Sequence, residues 1–536
     1  MVKLLTENGD MNFKKANPWS LFKTQNTIIS AAVVLGLASG LNACLGLLKG
    51  RLLTYYFGVS DELGIFYTAD RIPSLIYSVL AVGALSTVFI PVFADVLRNG
   101  KDKAWKTASS IINISMLAAL VIVFFFFIFS TQVLKLLSIG TFSAEQAELG
   151  ANLMRLMLFS QLLLIIGRFI TGILQTHRYF LVPALAPIFY GLGMIAGLVF
   201  FSPRYGIYAP AIGVVIGSIL HVLIQLFLVR KIGFKYTLSI DFHDGAMWEL
   251  FKLMPPRILS VFLVNVVYTI NNSLAILVSL SSVTILKNAM QLQYFPVNLF
   301  GISIASAALP SLSNESGEKD LSKFKKTFIT SFHQMFFMVI PASVILLVLR
   351  IPVVRLVYGV SNYPWEATVK TSYALAFFSL SIFSQAAVYL IARAFYALKD
   401  TLTPIKIFFF TIVINILMSV VFIKILGLGI WSIAFAYSLT SLIDMLILFY
   451  LLSKKVGGFT LRNVFVPFIK ISYSALFMGI FLYVPLKLLD KYVFDTTRTL
   501  NLLILTFIVC VAGSASYLLF TKLLKVEEIE LFHRVL

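Results

Sequence analysis

The sequence predicts an all-α integral membrane protein of about 14 transmembrane helices: two six-helix lobes related by pseudo-two-fold symmetry, plus two C-terminal helices. Three observations carry that expectation. Apolar stretches of about 20 residues recur along nearly all of the chain, the length at which a helix crosses a bilayer core and unlike the short alternating strands of a β-barrel. Charged residues make up 12% and hydrophobic residues 59% of the 536 positions, where soluble domains carry about 25% charge, so no separate soluble domain fits. Short motifs also recur at one nearly constant offset, which indicates a duplication.

The elements follow in order. Residues 1–27 are polar, hold Lys3, Lys14, Lys15 and Lys23, and read as a cytoplasmic N-terminal segment. The apolar segment behind them continues past the small residues Ala38, Ser39 and Gly40 to spanning length, which argues for a helix rather than a cleaved signal peptide. Apolar length bounded by charges and turn residues places spans at 28–57, 62–96, 104–134, 146–175, 180–202 and 207–229, a first lobe over 28–235. Spans at 246–276, 282–312, 327–350, 365–396, 403–425 and 428–453 make a second lobe over 246–455. Two more, 461–486 and 499–523, precede a cytoplasmic tail at 524–536.

Connecting cations fall mainly on one side. The N-terminal lysines, Arg98, Lys101, Lys103, Lys106, Arg178, Arg230, Lys231, Lys235, Lys319, Lys323, Lys325, Lys326, Lys399, Lys454, Lys455, Arg462, Lys522, Lys525 and Arg534 share it, against Lys135, Arg204, Arg355, Lys424, Lys487, Lys491 and Arg498 opposite. The positive-inside rule then puts both termini in the cytoplasm, which an even number of spans requires. The net charge of +20 is spread over loops instead of clustered with aromatics, so nucleic acid is not an expected partner. Cys44 and Cys510 both fall inside spans, offer no disulfide framework and are expected to be buried and inert.

The duplication rests on three matches. STVFIPVFADVLRNGKDKAWKTASSII resembles SAALPSLSNESGEKDLSKFKKTFIT, GILQTHRYFLVPALAP resembles RAFYALKDTLTPIKIF, and GIYAPAIG resembles GIWSIAFA. Pro91 thereby matches Pro310 and Pro183 matches Pro404 at nearly the same spacing. Six spans per copy is even, so the copies share one orientation and are expected to flank a central cavity, the place where secondary transporters bind their cargo.

Charges inside spans locate the candidate binding residues, because a cation near the bilayer centre costs about 2.5–3.5 kcal/mol. Lys49 and Arg51 lie in the first span, Asp70 and Arg71 in the second just before Pro73, and Arg155 in the fourth. Pro255, Pro256 and Arg257 interrupt the seventh span, and Lys287 enters the eighth. Cations outnumber anions, so a cavity lined by them favours a polyanion such as a phosphate ester. The plainer account of each is snorkelling to the headgroups or pairing with helix carbonyls. Asp444 and Lys470 read as structural residues nearer the cytoplasmic ends, and the GxxxG spacings of Gly36, Gly40, Gly46 and Gly50 read as packing features.

Catalytic signals are missing: His177, His221, His243, His333 and His533 lack metal-ligand spacing, and there is no Walker A loop or GxSxG elbow. No catalytic residue, metal or cofactor is expected. The drive is expected from a coupling monovalent cation, with Asn265 and Asn415 as its candidate site, or from the membrane potential, worth about 2.3 kcal/mol per charge per 100 mV.

The run LGLLKGRLLTYYFGVSDELGIFYTADRIPSLIYSVLAVGALSTVFIPVFADV, with LPSLS at 309–313 and the KDTLTP turn, resembles the MurJ (MviN) lipid II flippases of the MOP exporter superfamily over essentially the whole chain. The resemblance implies a cationic cavity between two lobes and a groove for a polyprenyl tail in the last two helices. It implies outward flipping of a lipid-linked peptidoglycan precursor across the bacterial cytoplasmic membrane by alternating access. It also shapes the candidate site. Lys49 stands where the family has a key arginine, and Gly50 where it has an aspartate. Arg71, Ile72 and Pro73 are kept, Ser74 replaces an asparagine and Tyr77 a cavity arginine. Ala289 to Pro296 keeps only part of an ADRxxEFP pattern, so Lys287 and Arg257 are the candidate substitutes for its charges. The diphosphate-binding residues implied are Lys49, Arg71 and Arg257, then Arg51, Arg155 and Lys287, supported by Asp70, Pro73, Ser74 and Tyr77. The implied partners are a polyprenyl-diphosphate-linked glycan, membrane lipids and cell-wall synthesis proteins. The alternatives are a flippase for another lipid-linked glycan and a non-transporting scaffold in cell-wall synthesis.

Overall fold

The computed structural model describes residues 28–82, 89–238, 240–241, 245–317 and 320–529. Helices dominate, and no strand occurs among the described residues. That is the expected outcome for an apolar chain in lipid, where every backbone group must find its partner within the segment. The chain divides into two compact units, parting between Thr284 and Ile285.

The N-terminal unit opens with α1 (Ile28–Phe57), followed by α2 (Asp61–Ala69) and α3 (Arg71–Tyr77). A π-helical turn, Ser78–Val82, continues α3, and α4 (Ile90–Arg98) completes what the sequence reads as the second span. Next come α5 (Lys101–Ile128), the short α6 (Ser130–Leu137), α7 (Ala144–Thr176), α8 (Leu181–Tyr205), α9 (Tyr208–Lys231) and α10 (Gly245–Val278). Ser143 starts α7 with a capping box: its hydroxyl accepts from the Gln146 amide at 3.2 Å while Gln146 accepts from the Ser143 amide at 3.0 Å. The core of this unit stacks Phe89 on Phe93 at 5.4 Å and sets Phe169 edge-on to Phe89 at 5.4 Å.

Within the unit, α8 and α9 cross at their glycines. A Cβ on Gly193 would lie 2.4 Å from the Gly217 Cα, and one on Gly197 would lie 2.3 Å from the Gly213 Cα. Backbone therefore touches backbone, the arrangement small residues four apart allow between membrane helices. The GxxxG spacing in α1 behaves differently. Gly36 and Gly40 would meet nothing within 4 Å, so the packing role expected for them is not seen; their faces are open.

α11 (Leu280–Pro296) bridges the division and runs through a second π-helical turn, Val297–Ile302, into α12 (Ser303–Glu315). The C-terminal unit then holds α13 (Ser322–Val348), α14 (Arg350–Tyr358), α15 (Trp365–Ser379), α16 (Ile382–Ala397) and α17 (Leu402–Val420). A third π turn, Val421–Ile425, precedes α18 (Trp431–Lys455), α19 (Leu461–Tyr492) and α20 (Thr499–Leu523). Phe324, Phe328, Phe332 and Phe336 recur every fourth residue on α13 and are all buried, so they descend one helix face. Phe332 lies 4.3 Å from Phe336, while Phe459 and Phe449 close on Phe328 and Phe332 at 5.3 and 5.6 Å.

Eleven described helices are long and apolar enough to span a membrane, and α15 with α16 makes a twelfth despite a 44° bend between them. These eleven or twelve spans among the described residues are roughly consistent with the fourteen expected. The duplication shows in local geometry. Ser78 and Val297, 219 residues apart, each begin a π turn. Arg178 and Lys399, which the Pro183–Pro404 match aligns, both adopt the left-handed conformation, with φ of 62° and 58°. Short helices α6 and α14 follow the third and ninth spans.

One expectation needs correction. Cys44 is exposed and Cys510 only partly covered, because α1 turns Cys44 to its outward face. Asp444 of α18 lies nearer that helix's C-terminal end and is 5% exposed.

Candidate functional site

The N-terminal unit brings several of the sequence-selected residues together. Pro73 has no N–H to give the Ala69 carbonyl, and the helix breaks there, α2 ending at Ala69 and α3 starting at Arg71. Asp70 sits in that break. The Ser74 hydroxyl donates to its Oδ2 at 2.9 Å, and both Lys49 of α1 and Tyr190 of α8 lie within electrostatic range of its carboxylate. Lys49, Asp70, Ser74, Tyr77 and Tyr190 are all half-buried.

Two contacts hold α2 in place. The Asn272 amide of α10 donates to the Thr68 hydroxyl at 3.1 Å, and Gly64 abuts the Leu280 carbonyl, which a Cβ there would approach to 2.4 Å. Arg71 turns back along its own chain, its Nε donating to the Tyr67 carbonyl at 3.3 Å.

Arg168 of α7 joins this cluster and is absent from the sequence reading. Its Nε donates to the Tyr77 hydroxyl at 2.7 Å, and its guanidinium carbon lies 5.6 Å from the centre of the Tyr77 ring. The neighbouring Gly167 leaves room for the buried His221 ring, since a Cβ there would come within 2.5 Å of it. One turn further, Thr171 donates to Gln225 at 2.8 Å and Gln225 to the His221 carbonyl at 3.0 Å, which ties α7 to α9. The signal available in the sequence was a second arginine beside a glycine in the fourth span.

The remaining candidates are placed elsewhere. Arg155 donates to Asn152 at 2.9 Å and to the Phe127 carbonyl at 3.3 Å, so it caps the end of α5, as the plainer account had it. Arg51 is half-buried and already partnered. Arg257 lies on α10, with its side chain outside the described residues. Lys287 is half-buried, partnered and part of the C-terminal unit. Asn265 donates to the Val261 carbonyl at 2.9 Å and Asn415 to Thr440 at 3.3 Å, each within its own unit. In the C-terminal unit, the buried amides of Gln293 and Gln385 exchange hydrogen bonds at 2.8 and 3.3 Å, which joins α11 to α16. No group of three or more metal-ligating side chains occurs among the described residues; His243 and His533 lie outside them.

Comparison with known proteins places these features. The family model described as lipid II flippase MurJ matches residues 53–503. A probable lipid II flippase MurJ of Buchnera aphidicola is 25% identical over 511 residues, covering 95% of this chain and 99% of the relative. The lipid II flippase MurJ of Thermosipho africanus is 26% identical over 461 residues, covering 85% and 91%. Among solved structures, a lipid II flippase MurJ in an inward closed conformation superposes with a TM-score of 0.76 at 24% identity, over 92% of this chain and 98% of the other. An inward-facing multidrug resistance MATE family transporter of the MOP superfamily gives 0.66 at 14% identity, over 80% and 98%.

Proposed function

The chain belongs to the MurJ lipid II flippase family, and from that premise we propose that it moves lipid II from the inner to the outer leaflet of the bacterial cytoplasmic membrane. As a member of a transporter family with many apolar helices, it is a multi-pass inner membrane protein and not a catalytic enzyme. The observation that supports lipid II as cargo is the polar cluster of the N-terminal unit, where Lys49 lies within electrostatic range of Asp70 at the break ahead of Pro73. A lysine held inside a span is a point charge suited to a phosphate oxygen.

In this reading Lys49 and Arg71 meet the diphosphate, with Arg257 and Lys287 as further cations, and alternating access exposes them to each leaflet in turn. The lysine-rich connections support an orientation with both termini in the cytoplasm. The membrane potential drives the step, since outward movement of a negative charge from a negative interior gains about 2.3 kcal/mol per 100 mV. A second reading, transport of another polyprenyl-diphosphate glycan, draws support from Met290, Gln291 and Tyr294, which stand where the resemblance implies charges.

Lipid II exposure at the outer leaflet of bacteria depleted of their own flippase tests this. The chain is expected to restore exposure, and Lys49→Ala at equal membrane abundance to lose most of it. No exposure with the parent chain, folded and in the membrane, would remove lipid II as the cargo.

A further inference from the structure

We propose that Arg168 is an anion ligand of the N-terminal unit, held by Tyr77 so that its two terminal nitrogens receive the diphosphate of a polyprenyl lipid. The inference rests on the reading above and adds to it a residue that neither the sequence motifs nor the family resemblance pointed to.

An arginine inside a membrane span normally pairs with a carboxylate or with backbone carbonyls. Arg155 on the same helix does so, bonding to the Phe127 carbonyl and to Asn152. Arg168 does not. Among the described residues no carboxylate lies within 4 Å of it, and its single hydrogen bond goes from Nε to the neutral Tyr77 hydroxyl. Among the described residues the N–H groups of Nη1 and Nη2 meet no acceptor, yet neither atom is sealed from solvent.

The rest of the side chain is fixed. Tyr77 holds Nε and lies under the guanidinium, and the next residue, Phe169, is 2% exposed in the core. On its other flank Gly167 packs against His221. A planar fork with one edge anchored and the other open matches two oxygens of a phosphate or diphosphate, which accept from both terminal nitrogens at once. The ligand also supplies an anionic partner that no described carboxylate provides within 4 Å of Arg168. Lys49 and Asp70 belong to the same unit, with Tyr190 in electrostatic range of both Asp70 and Tyr77. The fork therefore borders the polar cluster already described.

The test uses the full chain in nanodiscs of zwitterionic lipid, titrated with farnesyl diphosphate, farnesyl monophosphate and inorganic pyrophosphate. Arg168→Gln is expected to weaken farnesyl diphosphate binding about 10-fold, the loss of one charge-assisted hydrogen bond or more. Arg168→Lys, which keeps the charge and loses the fork, is expected to fall between that variant and the parent. Tyr77→Phe, which keeps the ring and removes the acceptor, should cost about 3-fold. Farnesyl diphosphate binding more tightly than pyrophosphate assigns the site to a lipid; equal affinities assign it to the free anion.

Unchanged affinity in Arg168→Gln overturns the inference. If that variant does not fold, parent-like binding in both Arg168→Lys and Tyr77→Phe overturns it equally. A parent that binds diphosphate through Arg168 but exposes no lipid II upholds the ligand and removes the flippase reading. Normal lipid II exposure with Arg168→Gln does the reverse.

Discussion

Asp400 shows how one side chain can hold an end of the fold together. It lies between α16 and α17, in the turn that Lys399 closes with a positive φ. Its carboxylate accepts from the Lys455 amine at 2.6 Å and from the Thr403 amide and hydroxyl at 3.0 and 2.8 Å. Partial burial pushes the Asp400 carboxyl up, but the bonds from Lys455 and Thr403 outweigh it and hold the group down at about 2, against an ordinary 3.8. A depressed carboxyl stabilises the fold fully above its unfolded value, and that stability fades as pH falls from about 4 towards 2. With Lys455 39% exposed, solvent screening reduces the contribution to about 1 kcal/mol. Asp400→Asn is expected to lower the thermal midpoint at pH 7 by about 1 °C and to leave it nearly unchanged near pH 2, which a melting series in detergent would read. At this scale the sequence was only partly legible. The deep lysine, the Asp70–Arg71–Pro73 break and the Arg155 cap could be read from charge and proline. The bond between Arg168 and Tyr77 could not, because it joins positions 91 residues apart, and a helix apolar on every side does not reveal which face a residue takes.

The helices α8 and α9 show how far an element can be read from spacing alone. Their glycine pairs and the Gly36–Gly40 pair of α1 have the same GxxxG spacing, yet the former meet a partner's backbone and the latter nothing within 4 Å. The difference lies in what faces them, which spacing does not encode. Gly197→Val would drive a branched side chain into the Gly213 Cα and is expected to destabilise the protein by about 3 kcal/mol, whereas Gly40→Ala, facing open space, should change stability by less than about 0.5 kcal/mol. Thermal unfolding of the two purified variants distinguishes them, and equal losses would show that the crossing is not what the glycines serve. The paired π turns at Ser78–Val82 and Val297–Ile302 also escaped the sequence, although the proline match that aligns them did not. An inserted residue in a helix leaves no signature in apolar length, and π turns in membrane helices tend to mark places where the helix must bend.

For the molecule as a whole, apolar length and loop charge were sufficient to predict the fold class. The eleven or twelve apolar spans and the absence of strands among the described residues follow from a chain that must satisfy its backbone inside lipid. The family was legible through motifs along the chain, and the family model matches residues 53–503, although several charged positions of those motifs are altered here. Lys49 keeps the charge that the resemblance puts at its position, Tyr77 does not, and Arg168 is the cation that the fold brings to Tyr77. The central claim, that this chain itself carries lipid II across a membrane, is tested most directly by reconstitution. Purified protein in vesicles holding labelled lipid II, with an interior-negative potential, is expected to move the label to the positive side faster than vesicles without protein, and Lys49→Ala should slow it about 10-fold. Label movement no faster than in protein-free vesicles, from protein shown to be folded, would contradict the claim and leave a scaffold or a carrier of another lipid-linked glycan.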